Sequence, residues 1–325
     1  MTQTPTSPAG FPGTPLPTPA IDASTGSPSS DLRRPRVWTV FVALIAALAT
    51  SLIISSIAFA VMAVARTGSG LGEPKIVSEA VGQVVHSRAG VLVSIFVSAA
   101  TFGALALFGA WLSPMPGMVR LRLGPAGGRF AARLIFAIGA AALGLASGAF
   151  TSLVLPAYPN RSLELLGKLK SDSGGQMVFT FVLLGGLVPF AEELFFRGYC
   201  QTRLRDRWGP GVAIAITALA FGTFHMNLVQ GLSAVVLGVY FGWGVERAKS
   251  IRPAILAHVT NNMVATTVFM VSGSWRTPGG DRASALLVIA VGVIVAAGAA
   301  WTLSRAYPTE ASRRKGFTAG PSPLP

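Results

Sequence analysis

The chain has 325 residues, 51% of them hydrophobic and only 12% charged, with a mean hydropathy of +0.59. Soluble domains carry roughly 25% charged residues, so this composition excludes an ordinary soluble globule and points to the membrane. A single cysteine, Cys200, excludes an internal disulfide framework, and the formal charge of +14 has to be placed on a topology before it can be interpreted.

Residues 1–32 are rich in Pro, Thr, Ser, Gly and Ala and nearly lack bulky apolar groups. Such a segment cannot bury enough surface to offset its ordering entropy, so residues 1–36 are expected to form a disordered cytoplasmic tail. It does not read as a signal peptide, because the first apolar run, Val37–Ala65, is too long and comes too late. Eight apolar segments follow, each near the roughly 20 residues that cross a bilayer: 37–65, 90–113, 131–155, 177–201, 210–227, 231–248, 253–273 and 283–303. The fifth and sixth are short and meet in a tight turn near Gln230 and Gly231. A second disordered cytoplasmic tail is expected over 305–325, leaving 37–304 as the membrane domain.

With the N-terminus inside, seventeen Lys and Arg side chains fall on cytoplasmic segments and eight on outer ones, and only Arg197 lies within a span. This asymmetry places both termini in the cytoplasm. No segment alternates basic with aromatic residues as a nucleic-acid surface would, so nucleic acid is not an expected partner. The expected fold is an all-α polytopic bundle of about eight transmembrane helices in the cell membrane. Small residues at helical spacing, Gly144/Gly148 and Gly238/Gly242, are expected to let helices approach closely.

Ionisable residues inside spans are costly and by default mark a function. Here they are Glu192, Glu193 and Arg197 in the fourth span, His225 near the end of the fifth, and His258 with Asn261 and Asn262 in the seventh. Glu193 and Arg197 are spaced i,i+4 with the acid first, which pairs them on one helix face. Glu192 is turned about 100° away and is free for another partner. His258 and Asn262 also share a face, while Phe221, one turn before His225, reads as packing. The third histidine, His86, falls in an outer loop and reads as a surface residue.

A carboxylate beside an imidazole can deprotonate water and later protonate a leaving amine. A second imidazole and an amide N–H can stabilise an oxyanion. Glu with two His also suits a three-ligand zinc site with an open position for water. Both routes lead to acyl-bond hydrolysis, most simply of a peptide. A proton- or ion-coupled transporter would use the same residue types, although no internal repeat is evident. A non-catalytic membrane scaffold is the third alternative.

The stretches "EELFFR" (Glu192–Arg197), "FGTFH" (Phe221–His225) and "HVTNN" (His258–Asn262) resemble, in order, the E-E-x-x-x-R, F-x-x-x-H and H-x-x-x-N motifs of the CPBP intramembrane proteases. That family is related to the CAAX prenyl endopeptidases, and the likeness extends over about 177–270. The resemblance implies an intramembrane endopeptidase of bacterial type acting on a peptide or membrane-protein substrate in the lipid bilayer. Glu192 and His225 would activate water, His258 and Asn262 would stabilise the oxyanion, and Glu193 with Arg197 would support the site. It leaves open a glutamate-dependent mechanism or a metal-dependent one, with zinc the expected metal and His258 a ligand. At ~1.5 Å rise per residue, the expected span ends put Glu192, His225 and His258 at about 14, 22 and 8 Å from the cytoplasmic boundary. A single site therefore requires tilted or broken helices.

Overall fold

The computed structural model describes residues 36–68, 74–156, 158, 161–171, 173–272 and 281–308. The tails expected over 1–36 and 305–325 lie, but for Arg36 and 305–308, outside these residues. Every described element is helical: α1 (Trp38–Thr67), α2 (Pro74–Val85), α3 (Arg88–Trp111), the single turn α4 (Gly117–Arg120), α5 (Phe130–Val154), α6 (Arg161–Gly167), α7 (Gly174–Trp208), α8 (Pro210–Phe224), α9 (Leu228–Ala248), α10 (Arg252–Ser272) and α11 (Arg282–Ala306). Seven of these are long and apolar enough to cross a membrane, which makes the protein multi-pass.

Lipid accounts for the apolar surface. On α1 only Val40, Ala47 and Ala63 are buried, while Ile45, Ile53, Ile57 and Val61 face outward. Polar side chains close the helix starts where the next turn would leave N–H groups unpaired. Ser87 accepts from the Gly90 amide at 3.1 Å, and Asn227 from that of Gln230 at 3.0 Å. Asp281 accepts from the Ser284 amide, and this bond holds its carboxyl below the ordinary aspartate range.

All eight expected segments are helical, but the fifth is shorter than expected. α8 has 15 residues, about 22 Å, against the ~30 Å hydrocarbon core. It stops at Phe224 because Met226 adopts a left-handed conformation (φ 49°) and Asn227 an extended one, which starts α9 instead. The fifth expected span is therefore a partial one, and α8 and α9 form a hairpin within the bundle. The last helix runs to Ala306, two residues into the segment expected to be tail.

α7 also departs from expectation. It is a continuous 35-residue helix that runs seven residues past the expected end at 201. Two stretches, Val182–Leu187 and Glu193–Gln201, are wound as π-helix, a form concentrated at functional sites. Phe195 and Phe196 pack from the second stretch against Phe102 of α3, with ring centroids 5.2 and 5.4 Å away.

α9 lies parallel to α7. Arg197 reaches the Gly238 carbonyl at 3.4 Å, and Gln201 donates to that of Gly242 at 3.0 Å. The close approach depends on glycine: a Cβ at Gly238 would lie 3.3 Å from a guanidinium nitrogen of Arg197, and one at Gly242 would lie 2.8 Å from Gln201 Oε1.

One carboxylate gathers the helix ends below this contact. Glu246 of α9 faces Arg122 at 2.9 Å, Arg205 at 3.4 Å, Lys249 at 3.7 Å and Gln201 at 3.1 Å. The same loop fixes where α10 begins: the Ile251 amide donates to Arg122, Ser250 to Gly124 and Arg252 Nε to Leu123, all to backbone carbonyls at 2.8–3.0 Å. Neutralising Glu246 strands three cations. A double-mutant cycle of Glu246→Gln with Arg122→Gln, read by thermal denaturation in detergent, is expected to show a coupling of about 0.5–3 kcal/mol. Strict additivity would remove the loop from this anchoring role.

Candidate active site

His258 reaches the carboxylates because its helix starts deep. It lies about 9 Å along α10 from Arg252, whereas Glu193 lies about 22 Å from the end of α7. The longer α7 brings the carboxylates to the height of His225, and His258 meets them because α10 starts from its anchorage on the Arg122–Gly124 loop. At this level His258 stands between the two glutamates. Its Nδ1 is 2.9 Å from Glu193 Oε1, and its Nε2 is 3.5 Å from Glu192 Oε2.

Glu193 also pairs with Arg197, Oε1 to a guanidinium nitrogen at 3.0 Å, and both side chains are wholly buried. This is the i,i+4 pair read from the spacing. Three aromatic rings surround the guanidinium, with Phe221 closest at 4.5 Å, then Phe241 at 5.5 Å and Phe196 at 5.9 Å. Faces of aromatic rings attract a cation, which helps compensate its removal from water. Phe241 also stacks beneath His258 at 4.9 Å.

Glu192 differs from its neighbour. Its side chain is 14% exposed and lines a cavity of about 1040 Å³ that it shares with Phe221, His225, His258, Asn261 and Asn262. His225 does not lie within ion-pair reach of Glu192; among the described residues that place is taken by His258. His225 Nδ1 is 2.9 Å from the Phe221 carbonyl. A carbonyl can only accept, so Nδ1 carries a proton, and in the neutral ring Nε2 holds the lone pair. The Phe221 ring stands edge-on to both imidazoles, 5.0 Å from His225 and 5.6 Å from His258.

Asn262 donates to the Leu184 carbonyl at 3.1 Å and accepts from Asn261 at 3.2 Å, so one of its two N–H bonds is already used. Leu184 belongs to the first π-wound stretch, where a widened helix offers a carbonyl to a neighbour. His86 is exposed and bonded to its own helix through the Gly82 carbonyl, away from the cavity.

Sequence reasoning set Phe221 aside as packing and gave Phe241 and Gly144 no role at the site. A lone aromatic in an apolar helix carries no signal. Gly144 does carry one, as half of a small-residue pair: a Cβ there would collide with Asn261 Oδ1, whereas Gly148 has open space. Gly144→Ala is therefore expected to lower the unfolding free energy by about 1–3 kcal/mol and to reduce activity, while Gly148→Ala is thermally neutral. Equal melting of both variants would remove the contact from the account.

Zinc would need three donors around one point at about 2.0–2.2 Å. Glu193 is committed to Arg197 and to His258, whose ring nitrogens each face a carboxylate. Among the described residues no three His, Cys, Asp or Glu side chains are grouped to hold a metal ion. The arrangement does not fit that ligand set, and it supports no step through a metal.

Comparison with curated proteins and with solved structures gave no match. A family model described as "Type II CAAX prenyl endopeptidase Rce1-like" matches residues 174–264. That stretch holds both carboxylates, both cavity histidines and the asparagine pair. The segment from Gly174 to Val264 is thus similar to the Rce1-like endopeptidases, consistent with the CPBP/CAAX protease family.

Proposed function

We propose that the protein is an intramembrane endopeptidase of CAAX type in the cell membrane, with both termini cytoplasmic, hydrolysing a peptide bond of a membrane-associated protein or peptide. The observation that carries this reading is the convergence of Glu192, His225 and His258 on one cavity within the Rce1-like domain.

Arg197 fixes Glu193, Glu193 fixes the Nδ1 side of His258, and Nε2 of His258 faces Glu192. With His258 doubly protonated, the four groups sum to zero charge, as a low-dielectric interior favours. Glu192, open to the cavity, takes a proton from water with help from the Nε2 lone pair of His225. The water oxygen attacks the carbonyl carbon, and the oxyanion is met by His258 Nε2–H and the remaining N–H of Asn262. Glu192 then returns the proton to the amide nitrogen as the C–N bond breaks, giving an acid and an amine. Preorganised donors of this kind are worth about 10²–10³ in turnover each.

The test is cleavage of a library of quenched peptides, with and without a C-terminal prenyl group, by the detergent-purified full chain beside His225→Ala. The proposal expects cleavage by wild type, unchanged by a chelator, and background turnover by the variant. Wild-type turnover retained in His225→Ala would remove that histidine from the chemistry.

A further inference from the structure

A second group of charges lies where α5, α9 and α11 meet, near the membrane border. The ring of Phe136 in α5 stacks on Tyr240 of α9 at 4.3 Å and is faced by Gly244. These helices run antiparallel, so one turn nearer the end Arg133 comes level with Arg247. α11 packs on α5 through Gly139 against Ala299, which brings Ser304 to the same level. Arg247 donates to the Ser304 carbonyl at 3.0 Å. Tyr307, just past the end of α11, lies with its ring against Gly128. Burial pushes its hydroxyl pKa up from the ordinary tyrosine value, while the nearby Arg133 cation pulls it down.

Beyond the Ser304 carbonyl, this junction is short of acceptors among the described residues. Nε of Arg133, Nε of Arg247 and the Tyr307 hydroxyl are all buried and have no hydrogen-bond partner among the described residues. Neither arginine has an ion-pair partner among them, because the neighbouring Glu246 is held by Arg122, Arg205 and Lys249. Both arginines are half-buried, Arg133 lies with its guanidinium over the Phe130 ring at 5.3 Å, and an unpaired cation held partly away from water is costly. An anion with several acceptor oxygens satisfies both forks and the phenol at once. Phe130, Leu134 and Trp301 are exposed beside the junction, so an apolar tail would have a surface to lie on. Basic pockets between helices at a membrane surface bind anionic headgroups.

We propose that Arg133, Arg247 and Tyr307 form a binding site for the phosphate of an anionic phospholipid, separate from the catalytic cavity. The site ties the ends of three helices together through the lipid headgroup.

The experiment is native mass spectrometry and thermal denaturation of the delipidated full chain in detergent, with added phosphatidylglycerol, phosphatidylcholine or inorganic phosphate. Wild type is expected to retain phosphatidylglycerol about tenfold better than phosphatidylcholine and to melt higher with it. Arg133→Gln/Arg247→Gln is expected to lose that preference. Tyr307→Phe, which removes one donor and keeps the ring, is expected to lose part of it, and it answers the question if the double variant does not fold. Equal retention of both lipids by wild type, or a preference intact in the folded variants, overturns the site. Stabilisation by inorganic phosphate equal to that by phosphatidylglycerol overturns the lipid assignment in favour of a soluble phosphate ligand.

Discussion

Glu192→Gln is expected to reduce peptide cleavage to background, a loss of at least about 10²–10⁴-fold, while the protein stays folded in the membrane. The two outcomes separate because of where this carboxylate sits. It lines the cavity, and among the described residues it pairs with no arginine; its neighbour is His258 Nε2 at 3.5 Å. Glutamine keeps its volume and can still face the imidazole, yet it cannot take a proton from water. The measurement is turnover of the best library peptide by purified variant and wild type, beside their melting temperatures in the same detergent. Cleavage surviving in the variant would leave the proposed reaction without its base.

Glu193→Gln acts on the fold first. Its carboxylate is fully buried and holds both Arg197 and His258, so neutralising it leaves a guanidinium uncompensated among aromatic rings. Breaking a buried pair from one side costs about 3–5 kcal/mol, enough to depress the yield of folded protein strongly. Arg197→Met should cost a similar amount. The double variant should recover part of the loss, because replacing both members with neutral groups removes the stranded charge. Denaturation of the four proteins in one detergent checks this cycle. If Glu193→Gln unfolds like wild type, the pair does not carry the stability assigned to it.

Much of this was legible in the sequence because membrane helices are written plainly. Apolar runs of the right length marked every span, and the i,i+4 spacing of Glu193 and Arg197 announced their pairing. Less legible was what Glu192 faces. The periodicity argument assumes 3.6 residues per turn, and α7 is π-wound from Glu193 to Gln201, so angular offsets beyond the pair do not follow that rule. The meeting of His258 with both carboxylates depends on the depth at which α10 begins. Backbone contacts to Arg122–Gly124, far away in the chain, set that depth. The partner of Asn262 was hidden for the same reason, since Leu184 offers its carbonyl from the first π-wound stretch. The length of α8 was misjudged because apolar composition continues almost to His225, whereas the stop comes from backbone angles at Met226 and Asn227.

The 15 residues of α8 act as a ruler. They hold His225 about 22 Å above the foot of the helix at Pro210. Under the proposed reaction, a bond would be addressed by its distance from the membrane border before the residues on either side are read. A substrate embedded in a thicker bilayer would present a different bond at that height.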